Sequence, residues 1–140
     1  MTTAPQIFKI ANTYALLGWI ILLFFPTWIY TQSILIYSSG AVLGGLYVYL
    51  LVTNFGKTKG SFTTLSGVTR LFQDPVNVLL GWVHYLAFDL MTGLFISNHA
   101  LQTGFNRILL IPCLLLTFLF GPAGLLLYLI LQAAVYGFWF

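Results

Sequence analysis

Two long stretches of this 140-residue chain, residues 10 to 54 and residues 108 to 140, contain no Lys, Arg, Asp or Glu. About 20 apolar residues carry a helix across a hydrocarbon core of roughly 30 Å, where every backbone N–H and C=O must be satisfied within the segment. Stretches this long restrict the chain to helices embedded in a bilayer. Composition agrees: 60% of residues are hydrophobic and 5% charged, with a mean hydropathy of +0.99. These values exclude the ordinary soluble classes. The expected fold class is all-α, a single transmembrane domain over residues 1 to 140 organised as a polytopic helical bundle with about four spans. The lipid bilayer is its first partner.

The net charge of +3 does not point to nucleic acid, because Lys9, Lys57, Lys59, Arg70 and Arg107 are scattered beside apolar runs, where they act as orientation signals. Four of the five fall on one side of the expected spans and Arg107 on the other. The N-terminus, the 55 to 75 connection and the C-terminus are therefore expected in the cytoplasm or stroma, which requires an even number of crossings. The single cysteine, Cys113, allows no intramolecular disulfide and reads as a small core residue. The first apolar segment is longer than a signal-peptide core and lacks a small-residue cleavage site.

The first span is expected at 7 to 29, closed by Pro26, Trp28 and Tyr30, and the second at 34 to 54 with Ser33 as its cap. The second carries Gly40/Gly44 and Ala41/Gly45, two small-xxx-small pairs on one face, which read as a close helix contact or as a groove for a flat polyene. Phe62, Leu65, Val68 and Leu71 recur every three residues and predict a short interfacial helix near 61 to 73. Asp74 before Pro75 is expected to cap a third span from Val76 to about Ser97, followed by a turn over 97 to 106. Residues 108 to 140 are too long for one straight span, and Gly121 and Pro122 should break them with a sharp kink between 108–120 and 123–139.

The third span holds the most informative pattern. With His84 at 0° and about 100° per residue, Asn77, Phe88, Gly81, Thr92, Tyr85 and Asp89 all fall within an arc of about 140°. Leu79, Val83, Leu86, Ala87, Leu90 and Leu94 occupy the opposite arc. The polar arc is expected to face protein or a pocket and the apolar arc lipid. An ionised carboxylate at mid-bilayer costs about 2.5 to 3.5 kcal/mol on insertion scales, so intramembrane acids mark function or find a partner. Asp89 as a neutral acid could donate a proton and His84 accept one, with Tyr85 beside them. The alternative is that Asp89 and His84 tie the bundle together through Asn12, Tyr14 or Tyr47. Two His and one Asp lack ligand spacing, so no metal site is expected. Asn98 and His99 sit at the membrane edge, where solvation accounts for them.

The stretches ANTYALLGW (11 to 19), GWVHYLAFDL (81 to 90), FTTLSGVTRLF (62 to 72) and IPCLLLTFLFGPAGLLLYL (111 to 129) resemble the neoxanthin-synthase-like membrane family of the abscisic-acid-deficient 4 type. Trp82, His84, Leu86, Asp89 and Leu90 form the core of the likeness, and Cys113 to Gly124 extend it. The resemblance implies a role in carotenoid metabolism, where plant members are needed to convert the epoxide of violaxanthin into the allene of neoxanthin. Such an isomerisation needs an acid at the epoxide oxygen and a base near the adjacent polyene carbon, tasks that suit Asp89 and His84, with Tyr85 as a third candidate. It requires no cofactor; a carotenoid would be substrate or bound pigment, contacted by Gly40, Gly44, Trp82, Phe88 and Thr92. The implied location is a bacterial, cyanobacterial-type plasma or thylakoid membrane. The competing reading is a non-catalytic pigment-binding or assembly subunit, associated with a photosynthetic pigment-protein complex or with further copies of itself. A transporter is disfavoured by the single mid-span acid and the absence of an inverted repeat.

Overall fold

A computed structural model describes residues 2–137, and every regular element among them is helical. Helix α1, Ala4–Phe24, starts with Pro5 in its first turn, where a missing N–H does no harm. After a tight turn the chain re-enters as one continuous helix, Thr31–Asn54. It comprises α2 (Thr31–Ile36), a π-helical segment (Tyr37–Leu43) and α3 (Gly44–Asn54). Thr31 rather than Ser33 secures its start, the hydroxyl donating to the carbonyl of Phe25 at 2.5 Å.

The polar connection carries α4, Leu65–Leu71, shorter than the amphipathic stretch that contains it, with Thr64 accepting from Gly67 N at 3.0 Å. Asp74 caps α5 as expected, its Oδ1 accepting from Val76 N at 2.8 Å ahead of Pro75. Helix α5 then runs without interruption from Pro75 to Thr103. It passes through the segment expected to turn and ends where Gly104 adopts φ 69°, a left-handed conformation suited to glycine.

Helices α1 and α5 run parallel: Trp82 Nε1 donates to Asn12 Oδ1 at 2.7 Å, and Gly93, further along, receives the rings of Trp19. The Thr31–Asn54 helix is antiparallel to both, with Leu35 near Gly18 and Leu90, and Tyr47 beside His84. One core cluster gathers Trp19, Leu22, Leu35, Leu90, Leu94 and Tyr128; another gathers Ala11, Ala15, Leu43, Leu50, Val83 and Leu86.

The 108 to 140 stretch departs most from expectation. The break falls at Gly121, but α6 (Arg107–Phe120) and α7 (Pro122–Leu131, continued by a π segment Gln132–Tyr136) fold back on each other. Asn106 N donates to Tyr136 Oη at 2.8 Å, and the rings of Phe105 and Tyr136 lie 4.9 Å apart. Along one continuous helix those residues would be about 45 Å apart. The hairpin closes because Gly124 rests directly on Thr117 and on the carbonyl of Cys113, leaving no space for a Cβ. In place of a kinked fourth span the chain forms a helical hairpin of two short helices side by side. Among the described residues three helices, Ala4–Phe24, Thr31–Asn54 and Pro75–Thr103, are long and apolar enough to cross a membrane, while α6 and α7 are shorter.

The consequence for topology is direct. Lys9, Lys57, Lys59 and Arg70 lie at the end of the bundle that holds Ala4, whereas Tyr136 sits with Asn106 at the other end. The expected even number of crossings, with both termini on the basic side, therefore meets three candidate spans and two described ends at opposite ends of the bundle. Residues 138 to 140, where the last expected helix ends, lie outside the described residues.

Candidate functional site

Asp89 stands at the middle of α5, with fourteen residues of the helix on either side. It is 8% exposed, and its Oδ2 is buried without a hydrogen-bond partner. What faces it is the hairpin tip: a methyl group on Gly121 would collide with the carboxyl oxygens. Gly121 adopts φ 33° and ψ −89°, a conformation costly for residues bearing a Cβ. One turn away Tyr85 braces the same tip, its hydroxyl donating to the carbonyl of Leu119 at 2.7 Å and of Phe118 at 3.3 Å. Those carbonyls end α6, where the helix leaves backbone acceptors unused.

His84 points elsewhere. It lies at the inner end of a groove of about 400 Å³ between α3, the α4 connection and the first half of α5. Tyr47, Asn54, Thr58, Asn77 and Leu80 also line the groove, and the exposed Phe55 and Phe62 are at its rim. Asn77 fixes the wall by donating to Thr58 Oγ1 at 2.9 Å and to the Leu71 carbonyl at 3.0 Å. The imidazole packs against Tyr47, with ring centroids 5.9 Å apart, and against Phe88 at 4.7 Å. A concave, mostly apolar space of this volume with a few polar groups converging on it has the form of a small-molecule site.

The polar arc meets protein at Asp89 and Tyr85 and a groove at His84, but the apolar arc does not face lipid as expected. The apolar arc faces the bundle, with Val83 and Leu90 both 0% exposed, while His84 and Phe88 on the polar arc are exposed. The physical reason lies in the solvent. In lipid an apolar side chain gains little by leaving the hydrocarbon, so close fit rather than polarity decides which face is buried. Val83, Ala87 and Gly93 allow α1 and the Thr31–Asn54 helix to approach, and Gly93 accepts the indole of Trp19.

The candidate residues therefore do not converge. Asp89 and Tyr85 meet at the hairpin tip, His84 lines the groove, and about 140° of helix surface separates His84 from Asp89. Trp82 bonds Asn12 and stacks on Phe8 at 5.4 Å and Tyr85 at 5.1 Å. Thr92 donates to its own helix, at the Phe88 carbonyl, 2.8 Å away. Gly40 is exposed, with open space where a Cβ would stand, and Gly44 is half-buried at the end of the π segment. None of Gly40, Gly44, Trp82, Phe88 and Thr92 lines the groove. Nor do the proposed ties hold: Asn12 bonds Trp82 and Tyr14 bonds Ser38 at 3.3 Å. Of the three, Tyr47 alone meets His84, by ring contact.

Asn77 and Tyr47 as groove residues, and Gly121 as the seat of Asp89, were not among the candidates. Asn77 lay on the polar arc and was legible in principle. Gly121 was legible as a break but not as a neighbour of Asp89. Among the described residues no cluster of three His, Cys, Asp or Glu side chains could hold a metal ion.

A family model described as ABA DEFICIENT 4-like matches residues 6–128. No curated protein and no solved structure matches the chain.

Proposed function

The chain belongs to the ABA DEFICIENT 4-like family, and on that footing we propose that it is a membrane-embedded, carotenoid-associated protein that isomerises an epoxide-bearing xanthophyll. The groove at His84 carries this reading. It lies near the membrane surface, where the polar ring of a xanthophyll resides, and it leads along α5 to the exposed ring of Phe88, a surface on which a polyene can lie.

Isomerisation of an epoxide to an allene moves one proton. The epoxide C–O bond opens as its oxygen gains a proton, and the polyene carbon next to the ring loses one, so the formula does not change. Neutral His84 is placed to accept the proton from carbon. Asp89 faces the hairpin tip rather than the groove, so the acid role passes to a hydroxyl that lines the groove with His84, that of Tyr47. A proton then returns from the imidazolium to the phenolate through that ring pair, which resets the site.

In a host that makes violaxanthin-type pigments, His84→Ala is expected to lower conversion at least about 100-fold, the usual lower bound for a general base. Pigment analysis of cells expressing wild type and variant at matched levels checks this, and equal conversion by both would overturn it. The separation of Asp89 from the groove favours a second reading, a pigment-binding subunit without chemistry. That reading expects purified wild type to retain a carotenoid spectrum in mild detergent while host pigments stay unchanged.

A further inference from the structure

We propose that the hairpin tip is a binding site for a monovalent alkali cation, held at mid-membrane by Asp89. The inference does not rest on the carotenoid reading. Asp89 is more than nine-tenths buried, and its carboxyl, whose Oδ2 has no partner, faces Gly121, the residue just before the ten-residue helix α7. The positive end of that helix attracts negative charge to this position. Yet among the described residues no fixed cation is near to balance a carboxylate. The five basic residues lie near the ends of the bundle, and the side chain of Arg107 is committed to the Leu23 carbonyl at 3.1 Å. The other acid, Asp74, is engaged as the α5 cap.

The oxygens gathered here have the chemistry of an alkali-cation shell. Gly121, against which the Asp89 carboxyl rests, directly follows α6, and at that end of α6 the phenol oxygen of Tyr85 meets the carbonyls of Phe118 and Leu119. Hard oxygen donors of this kind suit sodium or its neighbours rather than soft metals. Broken helices use their carbonyl-bearing ends in this way when an ion must be held at membrane depth. A buried oxygen without a partner is otherwise an unexplained cost.

The purified full-length chain, unfolded thermally in detergent at constant ionic strength, provides the test. Lithium, sodium or potassium chloride is compared with choline chloride, with no pigment present. A saturable rise in Tm of several degrees is expected for at least one alkali cation over choline, lost in Asp89→Asn and reduced in Tyr85→Phe. Identical Tm values in all four salts would mean that the carboxyl holds water only, and would overturn the proposal whether or not Asp89→Asn folds. So would a shift of full size in Asp89→Asn or in Tyr85→Phe. Pigment conversion is not part of the readout, so failure here leaves the carotenoid reading standing, and the converse also holds.

Discussion

Gly124→Val is expected to separate the two arms of the hairpin and lower stability by about 3 kcal/mol or more. The position has no tolerance, because a Cβ there would meet the hydroxyl and backbone nitrogen of Thr117 and the carbonyl of Cys113. Two of those three atoms are backbone and cannot move aside as a flexible side chain would. The Thr117 hydroxyl is itself committed to the Cys113 carbonyl at 2.7 Å. Unfolding in detergent, by heat or by titration with a denaturing surfactant, measures the loss. The variant should also lose the Asn106 to Tyr136 contact at the mouth of the hairpin, which an engineered cysteine pair reports. Stability within about 0.5 kcal/mol of wild type would mean that α6 and α7 are not packed through Gly124.

The second large effect is expected at Trp19, where Trp19→Ala should cost about 3 to 5 kcal/mol, the range for removing a buried large aromatic side chain. The residue is 2% exposed and joins three elements. It belongs to α1, its ring edge enters the space left by Gly93 on α5, and it meets Phe118 of α6 edge-on at 5.5 Å. Alanine opens a cavity that lipid cannot readily fill, and it removes the ring contact of α1 with Phe118 of the hairpin. Trp19→Phe keeps part of that contact and should lose markedly less in the same unfolding measurement. If the alanine variant were no less stable than the phenylalanine variant, Trp19 would not join these helices.

Much of the architecture follows from local chemistry. The charge-free runs mark the membrane helices, the Asp74-Pro75 pair marks the start of α5, and Gly121-Pro122 marks the break. Each depends on residues adjacent in the chain. What the sequence does not display is the tertiary fit. Gly121 and Gly124, with Thr117 and Cys113 before them, supply the small surfaces on which α6 and α7 meet, but the same letters also suit a kinked span.

The candidate site was legible in its residues and not in its grouping. His84, Tyr85 and Asp89 stand out as polar groups on an apolar helix. A helical wheel places them on one arc, but it cannot say which neighbour covers which part of that arc. Here the hairpin tip covers Asp89 and Tyr85, while the α4 connection and α3 border His84. Reading the apolar arc as the lipid-facing one fails because in lipid close fit, not polarity, decides which surfaces pack together.

The account rests on three helices long and apolar enough to cross a membrane and on a hairpin whose two described ends lie together at one end of the bundle. Single cysteines at Lys57 and at Val135, both exposed, in a Cys113→Ser background, can be labelled in intact and in opened cells with a membrane-impermeant thiol reagent. The account predicts that Val135→Cys reacts in intact cells and that Lys57→Cys reacts only after the cells are opened. Labelling of both positions from the same side of the membrane would contradict it.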